Sequence, residues 1–392
     1  MTSESFVLPT TDGQTVLKGQ LDFPDNSSPN NLPCVVVVSG SGPQDRDGYF
    51  GDSGTERDLL YRDLSQAFIA AGFAVLRWDY RGVFFNEMTM PGRETCTSEY
   101  ERAMFYLKHG ADWIIRGGVT PENILDDIEV IYGAALEHPR INPERIVILA
   151  HSEGVTNVAQ LIKACRIAPA GILNLCGIST SPKEVLRWQC VDRYVERVLS
   201  WDRDGDGQVT TGDAEAALAN DTFFTVVGFS KEELTPSSAW DSKSLQAFFG
   251  MKFKALAEET LNTPDETPYP KPSGEPGLVM GSYRWFKRYF LDDRAVIELL
   301  KTFQGNLVFH FGAIDAQLPS MIQLETAKTR LKQFDGRLRL VLHDNRGHVL
   351  RTGHPSMGPM DLAAVKMLVN DAVALLSPNK ALLPTRAEVK KP

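Results

Sequence analysis

"RIVILAHSEG", residues 145–154, joins a run of aliphatic residues to a serine set among small neighbours. The run from Ile146 to Ala150 reads as a strand covered on both faces, the kind found in the middle of a parallel sheet. A serine two residues beyond such a strand, opening a helix, has a mechanical meaning. The tight strand-to-helix turn lifts the hydroxyl above the sheet and aims the next backbone N–H at a reacting carbonyl. That turn is crowded, so its pattern, G-x-S-x-G, keeps small residues on both sides. Here Ala150 stands at the first glycine and Gly154 at the second. A serine at this point is also a good plain helix N-cap, so the rest of the chain has to decide what Ser152 does.

Outward from that stretch, the chain alternates strand and helix. "PCVVVVSG" (33–40), "FAVLRWDYRG" (73–82), "AGILNLCG" (170–177), "NLVFHFG" (306–312) and "RLRLVLHD" (337–344) read as strands. Between and after them, "DLLYRDLSQAFIAAG" (58–72), "NILDDIEVIYGAALEH" (123–138) and "PMDLAAVKMLVNDAVALLS" (359–377) carry helical periodicity. This order predicts an α/β fold with a mostly parallel, doubly wound sheet. Residues 83–110 read as a loop and an added helix.

The alternation stops between the fourth and fifth of the apolar strands, counting "RIVILA" as the third. "SPKEVLRWQCVDRYVERVLS" (181–200) and "SLQAFFGMKFKALAEETL" (244–261) read as helices, and "NTPDETPYPKPSGEPG" (262–277) has no periodicity. The expected organisation is a core of residues 1–182 and 291–378, an inserted helical cap at 183–290, and a mobile tail at 379–392.

Composition narrows the function classes. The 392 residues carry a net charge of −9 with no long basic run, which argues against a nucleic-acid partner. No apolar stretch approaches the length of a membrane span, and the N-terminus lacks a basic segment followed by an apolar one. The expectation is a cytoplasmic protein without a membrane partner. Five cysteines without a CxxC pair read as reduced thiols.

The partners of a nucleophilic serine should follow it in the order acid, then histidine. "LVFHFGAIDAQLPS" (307–320) places Asp315 just past a strand, and "LRLVLHDNRGHVLRTG" (338–353) places His348 in the loop after the last one. Both lie at strand C-termini, where open α/β sheets put their sites. Alone, each is an ordinary loop residue; together and in order they are a constellation. His310 and His343 fall within strands and read as packed core residues. His151 sits in the elbow and points away from the serine, and His354 is the rival base. Asp344 shares the loop of His348, so Asp315 is the better acid. "VVSGSGPQDRDG" (37–48) offers glycine-freed backbone N–H groups. That of Ser41 or of Gly42 would join the Glu153 N–H in an oxyanion hole. The run lacks the lysine and spacing of a phosphate-binding loop.

"SGSGPQDRDG", "RWDYRG", "AHSEG", "GAIDAQLP" and "NRGH", in that order, resemble the α/β-hydrolase superfamily, and within it the EstD-type and dienelactone-hydrolase-related carboxylesterases. The resemblance covers the expected core and implies a serine esterase acting on small-molecule esters through Ser152, His348 and Asp315, with no cofactor for catalysis. The chain departs from the pattern at Ala150 and at "RGVFFNE" (81–87), where Phe84 and Phe85 would reshape the pocket. Arg46 and Asp47 are expected to organise their loop by ion pairing. The same triad would serve a thioesterase or a peptidase.

"WDRDGDGQVTTGD" (201–213) is a separate signal. It matches an EF-hand or dockerin-type calcium loop, with Asp202, Asp204, Asp206, Gln208, Thr210 and Asp213 as oxygen ligands and Gly207 at the sharp bend. Asp213 replaces the usual glutamate. The expected role of calcium is to brace the cap. A calcium-dependent interaction protein with an inert hydrolase core is the non-enzymatic alternative; a single loop inside a cap suits stapling better than docking.

Overall fold

The computed structural model describes residues 1–24, 31–52, 57–84, 109–218, 239–270, 279–334, 336–356 and 358–377. Eight strands form one sheet: β1 (Thr2–Pro9), β2 (Val16–Phe23), β3 (Leu32–Val38), β4 (Ala74–Trp78), β5 (Ile141–His151), β6 (Gly171–Leu175), β7 (Asn306–Gly312) and β8 (Leu338–His343). Their spatial order is β1-β2-β4-β3-β5-β6-β7-β8. From β4 to β8 all neighbours are parallel, and only β2 runs against the rest.

Alternation along β3 shows how one strand feeds two cores. Cys34, Val36 and Val38 face the cluster that holds Ile124, Ile128 and Ile131 of helix α2 (Pro121–Glu137) and Val158 and Leu161 of α3 (Gly154–Lys163). Val35 and Val37 face the other cluster, with Leu60, Leu64 and Phe68 of α1 (Leu60–Ala70) and Leu368 and Ala372 of the C-terminal helix. Successive side chains of a strand point to opposite faces, so a β-branched run is what a sheet covered on both sides requires. Each fully buried valine contributes about 1.5 kcal/mol or more. Helix α2 starts where it does because Thr120 and Asn123 form a capping box ahead of Pro121.

The hairpin β1–β2 was not among the expected strands. It is an edge ribbon whose first strand is largely exposed, so it lacks the apolar run that marks the buried strands.

Between β6 and β7 the chain leaves the sheet. Helix Pro182–Arg187 passes through a π-helical turn, Trp188–Asp192, into Arg193–Leu199. Then follow the acidic loop, strand Gln208–Thr210 and helix Thr211–Leu218. Strand Ala239–Asp241 pairs antiparallel with Gln208–Thr210 and leads into α4 (Ser242–Asn262), and the return runs through α5 (Tyr283–Leu291). This region has a core of its own, in which Val195, Val198, Trp201, Val209, Trp240, Leu245 and Phe249 pack together with Ala316 from the loop after β7. After β7 come α6 (Ser320–Arg330), β8 and α7 (Leu362–Leu375), which Asp361 caps by accepting from the Ala363 and Ala364 N–H groups. No described helix is long and apolar enough to cross a membrane. The loop and helix expected at 83–110 fall mostly outside the described residues, as do Phe85, Cys96 and the tail from 379.

Candidate active site

Ser152 sits at the turn between β5 and α3 with φ +53, a left-handed conformation that a serine adopts only under constraint. The constraint is the close approach of β3. A methyl group on Gly154 would lie 2.5 Å from the Ser39 carbonyl oxygen and 2.6 Å from that of Val38, so only glycine fits. Ala150, near the end of β5, is fully buried between Val38 and Asn174 of the flanking strands, where a methyl group is accommodated. Ser152 is half-buried between buried neighbours, and its hydroxyl has no hydrogen-bond partner among the described residues.

The loops after β7 and β8 bring the other two candidates together. His348 Nδ1 lies 2.8 Å from Asp315 Oδ2, and both residues are buried. The second oxygen of Asp315 accepts from the Gln317 and Leu318 N–H groups at 2.6 and 3.1 Å, which fixes the carboxylate. The two loops meet because Gly312 lets the backbone of Arg346 and Gly347 pass where a side chain would stand. Asp344 is exposed, and His354 Nδ1 accepts from the Ser356 N–H at 3.2 Å; neither joins the Asp315–His348 pair.

Ser41 and Gly42 lie in the loop after β3, Gly42 at φ +84, and Glu153 lies between Ser152 and the start of α3. The loop that carries Ser41 and Gly42 is firmly held. Tyr80 Oη donates to the Ser39 carbonyl at 2.7 Å, Trp78 Nε1 to that of Val37 at 3.0 Å, and Arg46 pairs with Asp79 and Asp47 with Arg77. The ion pairing expected of Arg46 and Asp47 is present, with partners drawn from "RWDYRG".

Some residues take parts at this site that the sequence did not assign to them. His151 bonds Tyr61 Oη at 2.8 Å through Nδ1, and its Nε2 lies 3.4 Å from the His348 carbonyl. Burial, and then the nearby His348, push its pKa well below that of a free histidine, so it is a neutral prop beneath the His348 loop. Cys176, past the end of β6, brings its thiol within 4.8 Å of the Asp315 and His348 ligand atoms. Its strand-end position was the available signal. His310 and His343 form a buried pair, Nδ1 to Nε2 at 2.9 Å, in the core as expected. The described cysteines Cys34, Cys165, Cys176 and Cys190 are all free thiols.

A groove of about 640 Å³ opens between α2, α3 and α5 and holds none of Ser152, Asp315 and His348. Its Arg284 and Lys287 are paired with Glu122 and Asp265 at 2.8 and 2.6 Å.

In the acidic loop, carboxylate oxygens of Asp202, Asp204 and Asp206 lie within 4.8 Å of one another. Asp202 accepts from the Gly205 and Gly207 N–H groups, each at 2.8 Å, and the Gly207 bond holds its pKa below the usual range. An all-oxygen cluster on a glycine-bent loop fits a hard cation such as calcium. Asp213 does not join it: its carboxylate accepts from Thr210 N and Oγ1 at 3.1 and 2.7 Å. Aspartate is a methylene shorter than the glutamate usual at this place, and it caps the start of helix Thr211–Leu218, which also occupies Thr210.

No family model matches the chain, and no curated protein matches it in sequence. Solved structures do. A highly thermostable carboxyl esterase from Bacillus coagulans is 11% identical with a TM-score of 0.50, covering 96% of this chain and 100% of that one. DcsB in complex with its substrate analogue is 12% identical with a TM-score of 0.50, covering 95% and 100%. A hypothetical protein from Pseudomonas aeruginosa is 12% identical with a TM-score of 0.50, covering 95% and 94%. The chain has the α/β-hydrolase fold. In that fold Ser152 follows β5, Asp315 follows β7 and His348 follows β8.

Proposed function

We propose that this α/β hydrolase is a serine esterase that cleaves small carboxylic esters through an acyl-enzyme. The observation that carries the reading is the 2.8 Å contact between His348 Nδ1 and Asp315 Oδ2, at the ends of β7 and β8. It fixes the tautomer that leaves Nε2 as the base for a hydroxyl. Ser152 Oγ attacks the ester carbonyl as His348 Nε2 takes its proton. The developing oxyanion is met by the Glu153 N–H and by that of Ser41 or Gly42. His348 then returns the proton to the leaving alcohol, and a water repeats the cycle to release the acid. Turnover of a short p-nitrophenyl ester by the wild type, and its loss in Ser152→Ala, tests the assignment. Parallel thioester and peptide substrates separate the esterase reading from its closest rivals.

The acidic loop is read as a structural calcium site. Asp202, Asp204, Asp206 and the Gln208 carbonyl would hold the ion, which would brace the ribbon and helices around it. Bond cleavage needs only groups the chain supplies at the other site.

A further inference from the structure

The residue that follows Ser152 carries a buried carboxylate, and the inserted region holds it. Glu153 is 3% exposed. Trp285 Nε1 of α5 donates to its Oε1 at 3.0 Å, and Arg288, one turn on, forms an ion pair with the same oxygen. Arg288 Nη1 also donates to Asn157 Oδ1 of α3 at 3.1 Å, so the guanidinium bridges the first turn of the helix that the elbow opens. Nothing in the esterase mechanism requires a carboxylate here. A bare one would oppose the negative charge that the Glu153 N–H is placed to receive.

We infer that Glu153 is a positioning residue, clamped and neutralised by Trp285 and Arg288, so that the inserted region sets the aim and the local field of the oxyanion donor. The inference rests on the reading of Ser152 as nucleophile. Its physical content has two parts. Ser152, whose carbonyl begins the peptide that carries the Glu153 N–H, is strained at φ +53, and the hydrogen bond and ion pair at the far end of the Glu153 side chain limit how that peptide can rotate. Arg288 cancels the carboxylate charge in a place where water cannot. An interaction that acts on the transition state and not on bound substrate changes kcat with little effect on KM.

The test is steady-state kinetics on p-nitrophenyl butyrate, with Arg288→Met, Arg288→Lys, Trp285→Phe and Ser152→Ala beside the wild type, and melting curves to confirm folding. Arg288→Met leaves a bare carboxylate and should lower kcat by about tenfold to a hundredfold, less than the loss of an entire oxyanion donor, with KM within about threefold. Arg288→Lys restores the charge and should recover most of kcat; Trp285→Phe removes one of the two bonds and should fall between them. Because Arg288 also lines the open groove, added guanidinium, below concentrations that unfold the protein, should raise turnover of a further variant, Arg288→Ala. If Arg288→Met does not fold, Trp285→Phe carries the same comparison. A folded Arg288→Met or Trp285→Phe that keeps the wild-type kcat, or that changes KM alone, overturns the inference while leaving the esterase reading intact. Turnover persisting in Ser152→Ala overturns both.

Discussion

Asp315 and His348 are 33 residues apart in the chain and meet at 2.8 Å, each carried on the loop that follows one of two adjacent parallel strands. The sheet register brings the two loops side by side: β7 and β8 pair from Leu307–Leu338 to Gly312–His343, and Asp315 lies shortly beyond the end of β7 while His348 lies slightly further beyond the end of β8. Replacing Ser152 or His348 with alanine should cut ester turnover by about 10⁴-fold or more in a protein that still folds. His354→Ala should keep most of it. A dead His354→Ala with an active His348→Ala would reverse the assignment of the base.

Gly154→Ala should damage both stability and activity. The added methyl meets the backbone carbonyls of Val38 and Ser39, which cannot rotate aside as a side chain could. Overpacking of this kind costs about 1–3 kcal/mol or more, and relief requires β3 and β5 to separate at the elbow. Urea unfolding together with kcat would read both effects. An alanine variant of wild-type stability would mean that the strands slide more easily than their packing implies.

Much of this was legible in the sequence, for a physical reason. The strands that build the middle of the sheet must be apolar on both faces, so β3, β4, β5, β6 and β7 announce themselves. Once these and β8 are placed, Ser152, Asp315 and His348 fall beyond strand ends. The edge hairpin β1–β2 was missed because an exposed strand need not be apolar. His151 and Glu153 were assigned only by their place beside Ser152. What they do depends on Tyr61 and on Trp285 and Arg288, which lie 90, 132 and 135 residues away and reach them only through the fold. The reach of Asp213 toward Thr210 was equally out of view, since a loop pattern gives positions and not side-chain directions.

Stability should fall as the solution is acidified below neutrality, before the carboxylates titrate. Burial, and then the charge of His310, lower the His343 pKa from 6.5 to about 3; burial likewise lowers His310, against the pull of Asp371, and His151 lies well below 6.5. The folded values are depressed, so the unfolded chain takes up these protons first. The stabilisation is complete above pH 6.5 and is lost as pH falls toward the folded values, at about 1.4 kcal/mol per pH unit for each proton. Asp12, lowered to about 2, and Asp22, also lowered, contribute a separate loss that begins only near 3.8. Urea midpoints between pH 6.5 and about 4.5 read the histidines against the opposite contribution of Asp79, Asp127 and Glu196, whose pKa values burial raises, and His343→Gln should flatten the slope by roughly one proton. A flat wild-type profile in that window would contradict the neutral burial.

Calcium should raise the melting temperature without being needed for turnover. Binding to the folded loop alone adds about 2.7 kcal/mol when free calcium is a hundredfold above its Kd. EDTA should remove that increment and spare hydrolysis of a small activated ester. Loss of turnover at a temperature where the chelated protein remains folded would place the ion in the mechanism.

The ribbon beside that loop gives the molecule an optical reporter. Trp240 lies directly across from Val209, and Trp201 immediately precedes Asp202; both indoles are buried in the same small core. Their emission depends on the polarity and rigidity of that core, which the loop closes on one side. The emission of these two indoles therefore follows the state of the loop, read as the calcium-dependent change over the background of the other four tryptophans, Trp285 beside Glu153 among them.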